Sequence, residues 1–204
     1  TMYGKIIISE AYLPRSERTL QPLDELGGVI GGVKYMVKNI LFKFALDQYG
    51  MYESDAVSAK VAGHDLKGLI QYQSAGIPDL HFPLYALIDY MGFRLIAMSL
   101  LPLNRSTIVY GTADAGRTFH DSNAKFNAKM KLAGKILNLR QHVVGLERGA
   151  PGTLLYSCAD MEGHAGLDGR FYAIDFSRAM PPMFFPSQRN SHLFQLFRPE
   201  FVRR

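Results

Sequence analysis

One cysteine, Cys158, is all the chain contains. A lone thiol makes no intrachain disulfide and no cysteine-based zinc cluster, and such sparing cysteine use suits a reducing, cytosolic setting. The six histidines, at 64, 81, 120, 142, 164 and 192, include no pair four residues apart, which excludes the two-histidine face of a helical zinc site. Gly-x-Ser-x-Gly is absent, and Ser157 and Cys158 stand in no nucleophile-elbow context, which argues against hydrolase chemistry. The run "GGVIGG" at 27–32 lacks the Lys-Ser/Thr ending of a phosphate loop. No apolar run approaches the ~18 residues of a membrane span. The opening "TMYGKIIISEAYLPRSER" lacks the basic-then-apolar order of a signal peptide. There is no internal repeat, low-complexity tract or long linker, and the Thr before Met2 reads as the edge of a longer chain.

What is present is an ordinary folding composition. The 204 residues are 48% hydrophobic and 20% charged, enough for one good core or two small lobes sharing a cleft. The formal net charge of +5 suits phosphate-bearing partners but falls short of a dedicated DNA-binding composition.

Along the chain, "GKIIISEAYL" reads as a strand and "PRSERTLQPLDELGG" as a loop or short helix. "ILFKFALD" alternates with the period of a strand. The segment from Ser54 or Asp55 to Gly76 carries Val57, Val61, Leu66, Leu69 and Ile70 at helical spacings. Two apolar runs meeting at Met91-Gly92 predict a hairpin, and "STIVYGTADAGRTFHDS" predicts a second one around "ADAG". "AKFNAKMKLAGKILNL" is the clearest helix, with Phe126, Met130, Ala133, Ile136 and Leu137 on one face and lysines on the other. "LERGAPG" reads as a loop, "TLLYS" as a strand, "LDG" as a tight turn and "RFYAIDF" as a strand. The tail "SHLFQLFRPEFV" reads as a short amphipathic helix stopped before Pro199. The expected class is α+β, with a compact mixed sheet.

Several stretches in this order carry a family likeness: "NILFKFALD", "AGHDLKGL", "GIPDLHFPLYALIDYMGFRLIAMSLLPL", "TIVYGTADAGRTFH", "KMKLAGKILNLRQHVV", "DMEGHAGLDGRFYAIDFSRAMPP" and "HLFQLFRPEFV". Together they resemble the Clu domain of the clustered mitochondria protein family over residues 28 to 204, leaving 1–27 as an N-terminal strand and loop. "SCAD" and Met183 depart from the family pattern, in which a Gly-Pro-type approach and an acidic residue are usual. The resemblance implies a cytoplasmic protein that influences mitochondrial distribution and associates with mRNA and ribosome-associated proteins, with mitochondrial outer-surface proteins as further partners. It also implies that this domain is one part of a much longer chain.

The order of elements is similar, second, to a reduced two-lobed protein kinase-like architecture, with a small lobe to about residue 103 and a larger one over 104–204. On that alternative reading Lys43 meets nucleotide phosphate, Asp160 takes the catalytic-loop position, His164 organises the loop and Asp175 of Asp-Phe ligates Mg²⁺, so that ATP and Mg would be the cofactors. Gly28 and Gly31 would let backbone N–H groups approach an anion, and Arg170 and Arg178 would add positive charge. Three features depart from it: Ser177 follows Asp-Phe where glycine is usual, no Asn lies between Asp160 and Asp175, and the 55–74 helix lacks a glutamate.

Plainer roles stand beside these. Asp168-Gly169 suits a hairpin turn, Asp160 and His164 can satisfy loop backbone groups, and Asp175 can pair with Arg178 or Arg170. Lys43 can be a solvated strand residue. For RNA the candidates are Lys125, Lys129, Lys135 and Arg140, the first three placed to share a helix face that follows phosphates. No aromatic ribonucleoprotein motif is present, so backbone contacts are expected to dominate.

Overall fold

The computed structural model describes residues 1–23, 33–145, 152–183 and 185–203. The chain divides into two units, Thr1–Gly63 with Pro83–Leu100, and His64–Phe82 with Leu101–Arg204. Both mix helix and sheet, so the class is α+β.

In the first unit, α1 (Met2–Ser9) lies where a strand was expected. Three consecutive isoleucines favour a pleated surface by propensity, but Gly4, Ile7 and Ile8 are spaced three and four apart and are all buried on one helical face. A Cβ on Gly4 would stand 2.6 Å from Ile88 Cδ1, so glycine at this position lets the helix seat closely. Burial of the isoleucine face outweighs the propensity of single residues. The sheet below runs β1 (Lys34–Val37), β2 (Ile40–Phe44), β5 (Phe93–Ser99), β4 (Tyr85–Tyr90), all antiparallel. Strand alternation sends Tyr35, Val37, Phe42, Phe44, Ile88 and Leu95 into a core with Ile7 and Ile8. It sends Leu41 and Lys43 to the opposite, half-buried face. β4 and β5 join through Met91 and Gly92, both at positive φ (46° and 79°), as a two-residue turn matched to strand twist requires.

α2 (Asp55–Ser74) begins under the Ser54 hydroxyl, which accepts from the Val57 N–H at 3.3 Å. Its residues up to Gly63 belong to the first unit and those from His64 to the second. The sheet of the second unit has the order β3 (Leu80–His81), β11 (Phe171–Ile174), β10 (Glu162–Ala165), β6 (Ile108–Gly111), β7 (His120–Asp121), with β3 and β11 parallel. β8 (His142–Val144) and β9 (Thr153–Leu155) form a separate ribbon. Against the larger sheet packs α3 (Ala124–Leu137), capped by the Asn123 side chain at its start and by Asn138 in left-handed conformation at its end. Phe126, Met130, Ala133 and Leu137 are fully buried, whereas Ile136, expected with them, is 40% exposed. Phe126 sits over Gly163, where any Cβ would overlap its ring, and lies near Tyr110 and Phe171.

The tail differs from expectation. Pro199 opens a helix, α4 (Pro199–Val202), after a 3-10 turn at Ser191–Leu193. Proline suits a first helical position because the N–H it lacks would have no intrahelical partner there.

Candidate functional site

The stretch from Cys158 to Pro182 folds as the β10–β11 hairpin with flanking loops. Its tip is the expected Asp-Gly turn: Gly169 has φ +78°, and Asp168 accepts hydrogen bonds from the Arg170 N–H (3.2 Å) and the Tyr172 hydroxyl (2.7 Å). The Tyr172 hydroxyl, then the backbone and Arg170, holds the Asp168 carboxyl below its usual range. The Arg170 guanidinium lies 3.9 Å from the same carboxylate.

His164 is buried in β10, its Nδ1 3.0 Å from Thr107 Oγ1 and its Nε2 3.2 Å from Glu162 Oε2. It ties the sheet to the turn at Arg105–Thr107, which Asn104 caps. Asp160 is ion-paired with Arg178, each about one quarter exposed. Cys158 beside them has its thiol pushed well up by burial, with the nearby Asp160 charge second, so it stays protonated at neutral pH. Asp175 is exposed at the end of β11 with φ +60°, a conformation aspartate tolerates better than most residues. The neighbouring Phe176 N–H donates to Asp65 Oδ1 at 2.7 Å, and the Phe176 ring is buried against Tyr72 and Phe82. Asp65 was not anticipated, because its partner lies 111 residues away.

Lys43 belongs to the first unit, opposite Lys34 and Ile96 in register. Asp160 and Asp175 belong to the second. Gly28 and Gly31 fall outside the described residues. Among the described residues no three His, Cys, Asp or Glu side chains gather where they could hold a metal ion.

The basic helix differs in one member from its expected face. Lys129 turns inward: its ammonium donates to the Pro78 carbonyl at 2.5 Å, lies 3.8 Å from Asp79 and sits 5.7 Å from the centre of the Phe171 ring. Its side chain is only 16% exposed. Lys125, Lys131 and Lys135 on α3, and Arg140 just beyond it, are exposed. Lys135 in the last turn also complements the negative end of the helix dipole. At the C-terminal turn, expected only as a helix stopped before Pro199, Phe197 and Phe201 stack. The signal for it is two phenylalanines four apart around Arg198-Pro199.

The fold and these side chains define an α+β domain that carries exposed cations on α3 and just beyond it. Comparison with known proteins then places it. The model of the family described as "Clustered mitochondria" matches residues 1–184, and the chain belongs to that family. The matched residues include α1, which lies ahead of the segments quoted from residue 28 on, and stop before the tail segment at 192–202. Similar proteins include "Protein clueless" of Drosophila ananassae, 33% identical over 72% of this chain and 11% of that protein. "Clustered mitochondria protein homolog" of Caenorhabditis briggsae is 32% identical over 72% of this chain and 12% of that protein. "Clustered mitochondria protein" of Arabidopsis thaliana is 32% identical over 64% and 10%. The chain thus spans about a tenth of the length of these curated relatives. No solved structure matches it. Among the described residues no helix is long and apolar enough to cross a membrane.

Proposed function

We propose that the chain is an adaptor domain that works in the cytoplasm, associates with mRNA and the translation machinery, and supports the distribution of mitochondria. Its membership of the clustered mitochondria family carries this reading. The chain's own contribution is an RNA-phosphate surface made of Lys125, Lys131 and Lys135 on α3 and Arg140 just beyond it. These four are exposed, and exposed cations of this kind bind the RNA backbone without reading bases. Lys129, turned toward Pro78, serves the fold.

Mobility shift with a single-stranded RNA at rising salt tests this. Each phosphate neutralised on a single strand lowers the slope of log K against log salt by about 0.7, so four contacts give a slope near −3. Changing Lys131 and Lys135 to glutamine is expected to weaken binding and flatten the slope by roughly 1.4. Absence of any shift at low salt would remove this domain as the RNA contact.

A further inference from the structure

The helix α3 buries one side and leaves an apolar line on the other. Phe126, Met130, Ala133 and Leu137 are fully buried. Leu132 and Ile136, one turn apart, are 41% and 40% exposed, and Ala128 is exposed one turn earlier. Residues at this spacing share a helix face. Ala128, Lys131, Leu132 and Lys135 stand at i, i+3, i+4 and i+7, and all four are exposed. Residues so placed bound the hole that receives a side chain from a facing helix. Here the alanine leaves room, Leu132 is an apolar wall, and the lysines add their stems with the ammonium groups beyond. Lys125 heads the same line and is exposed. α3 contains no Asp or Glu, and none of these three lysines pairs with a carboxylate among the described residues. The face is apolar along its middle and cationic beside it.

We propose that this face docks an acidic amphipathic helix of a partner protein. One apolar side chain of that helix enters the hole, others cover Leu132 and Ile136, and its carboxylates meet Lys125, Lys131 and Lys135. Charge complementarity and the hole together select this occupant. RNA satisfies the lysines through its phosphates but leaves Leu132 and Ile136 in water. A neutral helix covers the apolar line but leaves the cations beside it without partners. The docking face goes beyond the RNA reading and does not rest on it. Because Lys131 and Lys135 serve both, RNA and the acidic helix compete for α3.

The test is fluorescence anisotropy of the full chain with a labelled peptide of about 20 residues, long enough to hold a helix. The peptide carries leucines along one face and glutamates beside them. A control peptide has the same composition with its leucines spread around the helix. The chain is expected to bind the amphipathic peptide about tenfold more tightly than the control. Leu132→Gln with Ile136→Gln should weaken that binding about tenfold and leave single-stranded RNA binding unchanged. Lys131→Gln with Lys135→Gln should weaken both, and RNA should displace the peptide from the unaltered chain. All four side chains are exposed, so the variants should melt with the unaltered chain. Equal binding of the two peptides would overturn the docking face. So would amphipathic-peptide binding that survives Leu132→Gln with Ile136→Gln. A chain that binds RNA but not the peptide keeps the adaptor reading and loses the docking face. One that binds the peptide but not RNA keeps the docking face and loses the RNA contact.

Discussion

Asp114 shows how much one carboxylate can organise. It accepts from the Thr112 hydroxyl (2.8 Å) and from the backbone N–H groups of Arg117 (3.0 Å) and Thr118 (2.9 Å), closing the loop between β6 and β7. The Thr118 N–H first, then the threonine hydroxyls and the Arg117 N–H, lower its pKa from 3.8 to about 2. The folded carboxyl therefore stays ionised where the unfolded one has already taken a proton. Its contribution is complete above about pH 5 and is lost as pH falls through 3.8 toward 2. Thermal melts across pH 5 to 2 should show this loss, and Asp114→Asn should make that part of the curve flatter. An NMR titration midpoint near 4 for Asp114 would contradict it. Turn chemistry of this kind is legible in sequence because donor and acceptor lie within four residues, as at Asp168-Gly169. The Asp160–Arg178 pair was one of several pairings that sequence allowed, and only packing chose among them.

At the scale of elements, α2 carries two glycines with opposite consequences. A Cβ on Gly68 would stand 2.8 Å from Phe176 Cβ and 2.9 Å from Ala179 Cβ, and closer still to the Phe176 carbonyl. A Cβ on Gly63 would meet only Arg94 Nη1, at 3.7 Å. Alanine gains about 1 kcal/mol over glycine in a helix interior, and overpacking against backbone costs about 1–3 kcal/mol. Gly63→Ala is therefore expected to stabilise by about 0.5–1 kcal/mol. Gly68→Ala should destabilise by about 1–2 kcal/mol, the clash exceeding the propensity gain. Urea unfolding of both variants checks the pair, and equal signs would refute the packing account. α3 and the β4–β5 hairpin were readable because period, caps and turn residues agree with the packing. α1 was not, since its isoleucine run looks like a strand until Ile88 and Phe42 are there to receive it. Pro199 marks a boundary in either reading, and its direction depends on the chain that follows.

For the whole molecule, the kinase-like alternative makes a separate demand. It needs Asp160 free to act and Asp175 on a metal, yet Asp160 is ion-paired with Arg178. Thermal melting with ATP and Mg²⁺ is expected to leave Tm in place. A ligand at 100 times its Kd would stabilise by about 2.7 kcal/mol, which is roughly 5–10 °C at this size. A magnesium-dependent rise of that order, lost in Asp175→Asn, would reverse the reading. By itself the sequence determined the family, the α+β class, the basic balance and the locally specified elements, because each rests on spacing within a few residues or on shared motifs. Only the tertiary structure decided that α1 is a helix, that Lys129 faces the interior and that Asp65 holds Phe176. Each of those depends on groups far apart in the chain, and local pattern carries no record of which distant surface a side chain will meet.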